Sequence, residues 1–281
     1  MSDAAPATAE TEPANANRRS GYDALAAALP MLRVAEREAR VWRRFWRSSA
    51  LTLVLMPLMF LGAIGLGLGG LVDENTGSVG GVDYLAFVAP GILAASAMQG
   101  AAGQSLWPVM GGMKWIRTFH GAAATPLRPG DVFGGWVLWI GAREAMNASI
   151  FVAVAALLGA VTSPWGVLAV PAAALTGLAF AAPISAYSAV QDSDLGFPVI
   201  MRVGILPLFL FSGTFFPVDQ LPEWLQPVAW ASPLWHGVEL CRGATTGSLG
   251  IGAAGHVAYL AAWIAVGCWF GVRNFASRLA P

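Results

Sequence analysis

Residues 215–237 read FFPVDQLPEWLQPVAWASPLWHG, a stretch as rich in large aromatic side chains as a membrane helix. A proline nevertheless recurs at every fifth or sixth position. Because proline removes a backbone donor and clashes with the preceding turn, we expect two short helical pieces here rather than one long helix. Polar backbone at membrane depth persists where protein buries it or where it lines a water-filled cavity. The stretch therefore predicts a re-entrant pair of short helices, and a lid lying on the membrane surface is the alternative.

The whole chain has the composition of an integral membrane protein. Of its 281 residues, 56% are hydrophobic and 11% are charged, and its mean hydropathy is +0.60. A soluble domain normally carries about 25% charged residues. The two cysteines, Cys241 and Cys268, have neither the number nor the spacing of a disulfide framework or a metal site, so we expect free thiols.

Six segments are long and apolar enough to cross a bilayer, which takes about 20 residues. They cover residues 49–72, 84–110, 132–161, 166–190, 195–216 and 251–272. The proline-rich stretch lies at the end of the fifth segment and continues toward the sixth.

Basic residues are concentrated on one side of these six segments. Eleven of the sixteen Lys and Arg residues flank the spans there: Arg33, Arg37, Arg40, Arg43, Arg44, Arg47, Lys114, Arg117, Arg128, Arg273 and Arg278. Because Lys and Arg accumulate in cytoplasmic loops, we expect both termini in the cytoplasm and residues 215–237 on the external side. Residues 1–30, rich in Ala, Pro, Thr and Glu, are expected to form a disordered cytoplasmic tail, and residues 31–281 the transmembrane domain.

Residues 31–47 are expected to form an amphipathic helix that lies in the headgroup plane, with its cations toward anionic lipid. Helical spacing places Arg33, Arg37, Arg40 and Arg44 along one side, and Trp42 belongs to a separate apolar stripe. The helix is either a plain interfacial anchor or an element that also contacts a cytosolic partner. The sequence thus predicts an all-α integral membrane fold: six transmembrane helices, an N-terminal amphipathic interfacial helix, and an external re-entrant helix pair between helices five and six.

The longest internal connection, residues 111–133, is predicted to carry a short cytoplasmic helix. Three of its residues are expected to be exposed at the membrane surface: Lys114, Trp115 and Arg117. Pro126 and Pro129 end this helix, and Asp131 can cap the helix that follows. A short helix held between two spans can transmit a push from a partner, so the loop is a candidate coupling element.

Charged residues also occur within the spans. Arg143 and Glu144 fall in the middle of the third span, and Arg202 lies in the fifth. A charge at that depth costs roughly 2.5–3.5 kcal/mol on insertion scales, so it normally faces protein or water. A contact between Glu144 and Arg202 is one hypothesis. The alternative is an internal pair that only holds the bundle together.

Nucleotide-binding and catalytic motifs are missing. The chain has no G-x-x-x-x-G-K-[ST] phosphate loop, so ATP-driven work would need a nucleotide site on another chain. Ser212 and His256 could suggest an intramembrane serine protease, but the Gly expected two residues before the Ser is Leu210. We therefore expect that the chain is not itself an enzyme.

The quoted stretch and its flanks resemble a known family. Residues 211–242, FSGTFFPVDQLPEWLQPVAWASPLWHGVELCR, are similar to the signature of the type-2 ABC export permeases, and closest to the daunorubicin-resistance and nodulation-factor exporter branch. ATPLRPGDVFGG at residues 124–135 and the Arg within the third span are further matches.

This resemblance implies a dimer with a second permease copy or a paralogue, and an ABC ATPase subunit that binds ATP and Mg. This chain would bind no cofactor, metal or nucleic acid. The ATPase would seat against Lys114, Trp115, Arg117 and Phe119. The external gate would comprise Phe215, Phe216, Pro217, Pro222, Trp224 and Pro233. The implied setting is the bacterial plasma membrane, and the implied substrate is an amphipathic drug, glycolipid or lipid-linked sugar. An ion-coupled carrier without an ATPase is the alternative.

Overall fold

The computed structural model of the chain describes residues 30–64, 67 and 82–279, and only the backbone of residues 46–53. Within these ranges the protein is helical and contains no strand. The α-helices are α1 (Pro30–Gly62), α2 (Tyr84–Ser105), α3 (Trp107–Met110), α4 (Thr118–Ala123), α5 (Pro129–Leu157), α6 (Ala169–Val190), α7 (Phe197–Val199), α8 (Leu206–Phe211), α9 (Gln226–Trp230), α10 (Pro233–Thr246) and α11 (Gly252–Leu279). π-helical turns cover Gly111–Trp115 and Ile200–Ile205, and 3-10 turns cover Pro164–Leu168 and Val218–Gln220. The predicted tail up to residue 29 and the end of the first predicted span lie outside the described residues.

Four described helical segments are long and apolar enough to cross a membrane. They are Tyr84–Trp115, Pro129–Leu157, Pro164–Val190 and Gly252–Leu279, which correspond to the second, third, fourth and sixth predicted spans. The fifth span was predicted too long. Its apolar helix covers Phe197–Phe211, and at about 1.5 Å per residue it is roughly 22 Å long, short of a bilayer core of about 30 Å.

The amphipathic segment and the first predicted span are one continuous helix, α1, rather than two separate elements. Its N-terminal end packs on the start of α5, where glycine makes room for it. A Cβ added at Gly135 would lie 2.4 Å from the Met31 carbonyl oxygen and 2.5 Å from Val34 Cβ. Tertiary contact with α5 therefore fixes this end of α1, in addition to any contact with lipid.

The remaining helices form a bundle around α2. Most of α2 is buried, with α5, α6 and α10 packed against it. By contrast, α11 lies at the edge and buries one stripe: Leu260, Gly267, Gly271, Phe275 and Leu279. Two of its glycines let the helix approach its neighbours, since Gly267 faces Pro183 of α6 and Gly271 faces Phe133 of α5. Small residues at such crossings are typical of membrane helix packing.

The bundle has two distinct ends. At one end the C-terminus of α6 meets the start of α3, because the Ser188 hydroxyl donates to the Leu106 carbonyl at 2.7 Å. At the other end the Thr162 and Ser163 amides both donate to the Thr245 carbonyl at 3.0 Å. The first end also carries α4 and the C-terminal turn of α11, with Lys114, Arg117 and Arg278. We call it the basic end, and the other the opposite end.

Candidate functional site

A break in the helix at the basic end creates an exposed corner. The π-turn Gly111–Trp115 extends from α3, and α4 starts anew at Thr118. Between them Arg117 adopts a left-handed conformation with φ of 58°, which is uncommon for a residue other than glycine. Residues Lys114, Trp115, Ile116 and Arg117 are all exposed at this corner. A non-glycine residue held in this region of φ and ψ is a reason to look for function there.

Phe119 does not belong to this exposed corner. Its side chain is 2% exposed and packs on Trp136 of α5 and Phe275 of α11, with ring centroids 5.5 and 5.3 Å apart. The prediction that Phe119 contacts a partner protein is therefore wrong as a surface contact. Burial of this ring instead fixes α4 to the bundle, so that a force on the corner would reach α5 and α11. Ile116, which no motif in the sequence singles out, is 74% exposed at the same corner.

Polar contacts tie the corner to the loop after α6. Lys114 donates to the Asp192 backbone carbonyl, and Arg278 forms an ion pair with the Asp192 carboxylate at 3.0 Å. The Trp107 indole donates to Asp194 at 3.3 Å. The two aspartates thus join the loop after α6 to α3, to the π-turn that follows α3, and to the end of α11.

The start of α1 lies beside this corner. Its arginines Arg33, Arg37, Arg40 and Arg44 are exposed, and Trp42 is partly buried. Arg37 pairs with Glu38, and Arg40 pairs with Glu36, both at 2.5 Å. Burial raises the pKa of Glu38, and the adjacent Arg37 opposes that rise. A cavity of about 400 Å³ separates the start of α1 from α4 and is lined by Arg33 and Arg37 on one side and Thr118 on the other.

At the opposite end, the segment after α8 packs alongside α2 rather than above it. The Thr214 backbone lies so close to α2 that a Cβ on Gly91 would sit 2.6 Å from the Thr214 oxygen. Gly91 is seven residues into α2, which is about 10 Å along the helix axis. Gly213 turns the chain here with φ of 80°, a conformation suited to glycine. The chain thus enters the bundle before it reaches α9.

Helix α10 then returns along α2 and α6. A Cβ on Gly237 would clash with the Thr176 hydroxyl of α6 at 2.1 Å, and the Cys241 thiol lies 3.7 Å from the Ala169 carbonyl oxygen. The start of α10 is therefore level with the middle of α6, and its end reaches the opposite end of the bundle. As predicted, prolines interrupt this region, but the second helical piece runs to 14 residues and is largely buried.

The predicted gate residues differ in how deeply they are buried. Trp224 and Pro222 are exposed, whereas Pro233 is buried as the first residue of α10. Phe215, Phe216 and Pro217 are half-buried between these extremes. The Phe215 ring meets Phe209 of α8 with centroids 5.0 Å apart. One face of the segment is therefore open, and the other is packed in the bundle.

Arg242 holds this segment together. Its side chain lies mostly inside the protein and is 15% exposed. It donates to the Gly213 carbonyl at 2.7 Å, pairs with Glu239 at 2.8 Å, and lies 4.0 Å from the centre of the Phe87 ring. One guanidinium therefore connects α10, the turn after α8, and α2.

The residues that suggested a serine protease are engaged elsewhere. Ser212 bonds Ser232 at 3.1 Å, and His256 bonds His236 with their Nδ1 atoms 2.7 Å apart. The His236 ring is half-buried and stacks on Tyr259 with centroids 3.9 Å apart. Cys241 and Cys268 are free thiols, as predicted.

Glu144 is buried at the centre of the bundle, with 1% of its surface exposed. Its carboxylate accepts hydrogen bonds from Gln104 of α2 at 2.8 Å and from Asn147 of α5 at 3.3 Å. Arg202 is exposed on the π-turn Ile200–Ile205, and no ion pair joins it to Glu144 among the described residues. The hypothesis of a Glu144–Arg202 contact is therefore wrong, because the carboxylate bonds to two amides rather than to a guanidinium.

A cavity of about 460 Å³ opens beside Glu144, between α1, α2, α5 and α8. Met56, Pro57 and Phe60 of α1 and Phe209 of α8 line its apolar part. Gly100 leaves room for the carboxylate in the wall, because a Cβ there would lie 2.8 Å from Glu144 Oε1. The predicted intramembrane charges had not suggested Gln104 or Asn147. Gln104 and Asn147 could have been found in the sequence, because amide side chains are rare within otherwise apolar spans.

The arrangement is that of a membrane bundle with an exposed basic corner, an inserted segment at the opposite end, and a cavity between them. The inserted segment comprises residues 212–246, from the end of α8 to the end of α10. Residues 36–245 match the family described as ABC-2 type transporter. Nodulation protein J of Rhizobium leguminosarum bv. trifolii is 36% identical over 246 residues, which cover 85% of this chain and 92% of that protein.

Nodulation protein J of Sinorhizobium fredii (strain NBRC 101917 / NGR234) is 33% identical over 242 residues, covering 84% of this chain and 88% of that protein. The protein of the same name from Rhizobium meliloti (strain 1021) is 32% identical over 248 residues, covering 86% and 93%. The resemblance carried by residues 211–242 and 124–135 is thereby confirmed. This chain belongs to the ABC-2 type transporter family, as a membrane subunit for transport that is not itself catalytic.

Proposed function

We propose that this chain is the permease subunit of an ATP-driven exporter of an amphipathic substrate, working as a dimer in a bacterial plasma membrane. The family match over residues 36–245 carries the proposal. ATP and Mg would bind to a separate ATPase subunit. The substrate would be a drug, a glycolipid or a lipid-linked sugar taken from the cytoplasm or the inner leaflet.

The exposed corner at the basic end is the proposed seat of the ATPase. Lys114, Trp115, Ile116 and Arg117 offer two cations and two large apolar side chains on one surface. The corner is anchored by Phe119 inside the bundle and by Asp192 beside it. A partner that pushes on this corner would therefore move α5 and α11 rather than bend a loop.

Six transmembrane helices with cytoplasmic termini remain the proposed topology. In this arrangement α1 supplies the first span, and Phe197–Phe211 supplies a shortened fifth. The inserted segment would then be the external re-entrant gate. Its support is that Thr214 lies about 10 Å inside the bundle beside Gly91, and that α10 is buried along α6. Backbone at that depth is acceptable because protein surrounds it.

The coupling proposal is tested with the tagged full chain expressed together with the phosphate-loop ATPase encoded nearest to it. We expect the two to co-purify, and ATP hydrolysis to rise when the permease is present in lipid nanodiscs. Arg117→Gly should keep the fold, since glycine adopts a φ of 58° without strain, yet it should reduce that stimulation several-fold. Arg117→Lys, which keeps the charge, should lose less.

A transport assay with the same proteins in closed proteoliposomes separates the exporter from an ion-coupled carrier. Transport that proceeds without any ATPase, and that stops when an ion gradient is dissipated, would contradict the proposal. Unchanged ATPase stimulation in Arg117→Gly would remove Arg117 from the proposed contact surface.

A further inference from the structure

The cavity beside Glu144 is polar at one end and apolar at the other. Helices α2 and α5 run antiparallel through it, since Gln104 meets Glu144 while Leu93 lies near Phe151. Ser96, Gln99 and Gly100 of α2 therefore lie level with Glu144 and Asn147 of α5. Ile92, Leu93, Ala148, Phe151 and Phe209 line the other part. The polar end lies nearer the basic end of the bundle.

The polar end offers hydrogen-bond acceptors that the described protein groups leave unused. A carboxylate has about four acceptor positions, and Gln104 and Asn147 occupy two of those on Glu144. The Asn147 side-chain oxygen is buried and has no hydrogen-bond partner among the described residues. A buried acceptor without a partner is costly and calls for a donor.

A donor-rich ligand fits these acceptors better than a simple cation does. Recognition of a compact cation commonly uses aromatic faces around the charge. The residues at the polar end are Ser96, Gln99, Gly100, Glu144 and Asn147, and none of them is aromatic. Acceptors spread over two side chains suit a head group with several O–H or N–H donors, such as a polyol or an amide.

We infer that this cavity is a binding site for an amphiphile whose head group donates hydrogen bonds to Glu144 and Asn147. Its apolar chain lies along Leu93, Phe151 and Phe209. A volume of about 460 Å³ accommodates a chain of several carbons together with one small head group. The inference deepens the proposed export function, because it names the part of the substrate that the permease recognises.

The test measures binding of two matched probes to the purified full chain in lipid nanodiscs, with empty nanodiscs as the blank. The probes are tritiated octyl glucoside and its tetra-O-methyl derivative, which has the same chain but no hydroxyl donors. We expect the glucoside to bind about tenfold more tightly, because the methylated derivative cannot donate one or two hydrogen bonds to Glu144 and Asn147. Equal affinity for the two probes would overturn the inference.

Two substitutions test whether Glu144 and Asn147 cause the preference for the glucoside over its methylated derivative. Glu144→Gln and the nearly isosteric Asn147→Leu should each bring the affinity ratio toward one, and Asn147→Leu carries the test alone if Glu144→Gln fails to fold. Glu36→Gln is the matched control, because Glu36 is exposed on α1, some 20 residues before the cavity. An unchanged ratio in Asn147→Leu and in a folded Glu144→Gln would overturn the inference.

A third probe separates hydrogen bonding from charge. Octyltrimethylammonium has a cation and no donor, and we expect it to bind no better than the methylated sugar. Tighter binding than the glucoside, lost in Glu144→Gln, would overturn the inference in favour of charge recognition. Because no ATPase is present, these results are independent of the coupling test. If the glucoside binds more tightly than its methylated derivative but the permease does not stimulate an ATPase, the exporter proposal is contradicted and the binding site is still supported.

Discussion

At the scale of single residues, the protein places its few buried polar groups where helices must be joined. Arg242 shows this best, because its guanidinium reaches the Gly213 carbonyl, the Glu239 carboxylate and the Phe87 ring at once. Glu144 of α5 does the same toward α2, because its carboxylate accepts a hydrogen bond from the Gln104 amide. A buried polar group stabilises a fold when its partners are complete and destabilises it when one is removed.

Arg242→Met is predicted to destabilise the protein by about 2–4 kcal/mol, because it leaves the Gly213 oxygen and Glu239 without their donor. The measurement is thermal unfolding in nanodiscs, followed by near-UV circular dichroism. Arg43→Met is the control, since Arg43 is exposed on α1 and its loss should change stability little. Equal effects of the two substitutions would refute the bridging role of Arg242.

At the scale of elements, glycine decides how closely helices approach. The start of α1 rests on Gly135, α11 rests on Pro183 through Gly267, and the inserted segment rests on Gly91. Without a hydrophobic force between helices in lipid, such close contacts supply much of the packing energy. These glycines therefore position α1, α11 and the segment that follows α8.

Gly135→Ala is predicted to weaken the contact between α1 and α5. The added Cβ would lie 2.4 Å from the Met31 oxygen, so the helices must separate, at a cost of about 1–3 kcal/mol. Gly103→Ala is the matched control, because nothing lies within 4 Å of that position and Ala favours a helix over Gly by about 1 kcal/mol. A melting temperature lowered in Gly135→Ala and unchanged or raised in Gly103→Ala is the expected pair of results.

The observed lengths of the spans show how closely a hydropathy pattern predicts where a helix begins and ends. The spans at 84–110, 132–161, 166–190 and 251–272 were predicted, with boundaries off by a few residues at most ends. At its C-terminal end the last helix continues to Leu279, because Arg278 finds acceptors at Val190 and Asp192. The fifth span ends early, at Phe211 of α8, because Gly213 turns the chain two residues later. Apolar residues beyond that point belong to the inserted segment.

At the scale of the whole molecule, the two ends differ in charge and in architecture. The basic end gathers the arginines of α1, the corner at Arg117, and Arg278. The opposite end buries α10 and exposes Trp224. If the basic end is cytoplasmic, as the distribution of basic residues predicts, the corner faces the ATPase and the inserted segment faces outward.

Cysteine labelling in intact cells tests this orientation. In a background with Cys241→Ala and Cys268→Ala, Trp224→Cys should react with a membrane-impermeant maleimide, because its position is 75% exposed. Ile116→Cys should react only after permeabilisation. Ser232→Cys, a nearly isosteric change at a position 3% exposed, should stay unlabelled.

Two labelling results would contradict these expectations. Labelling of Ile116→Cys in intact cells would reverse the orientation. Free labelling of Ser232→Cys would show that the start of α10 is open to water. That result would contradict the proposed re-entrant gate.

The amino-acid sequence by itself determined the class of the molecule: a helical membrane protein of the ABC-2 type transporter family. It placed four of the spans and the proline breaks of residues 215–237, because hydropathy and proline act on the local backbone. The exposure of Lys114 and Arg117 was likewise predicted, because both carry a charge in a loop between spans. These properties depend on residues close together in the chain.

Only the tertiary structure decided which side chains meet. Phe119 could have been a surface aromatic, Glu144 could have paired with Arg202, and Arg242 could have stayed in a loop. Each is buried against a particular partner: Phe119 against Trp136, Glu144 against Gln104, and Arg242 against Gly213. The last two pairs are separated by 40 and 29 residues in the sequence. Periodicity says which face of a helix is apolar, but not which partner covers it. That choice comes from packing all the helices at once, because each contact excludes others.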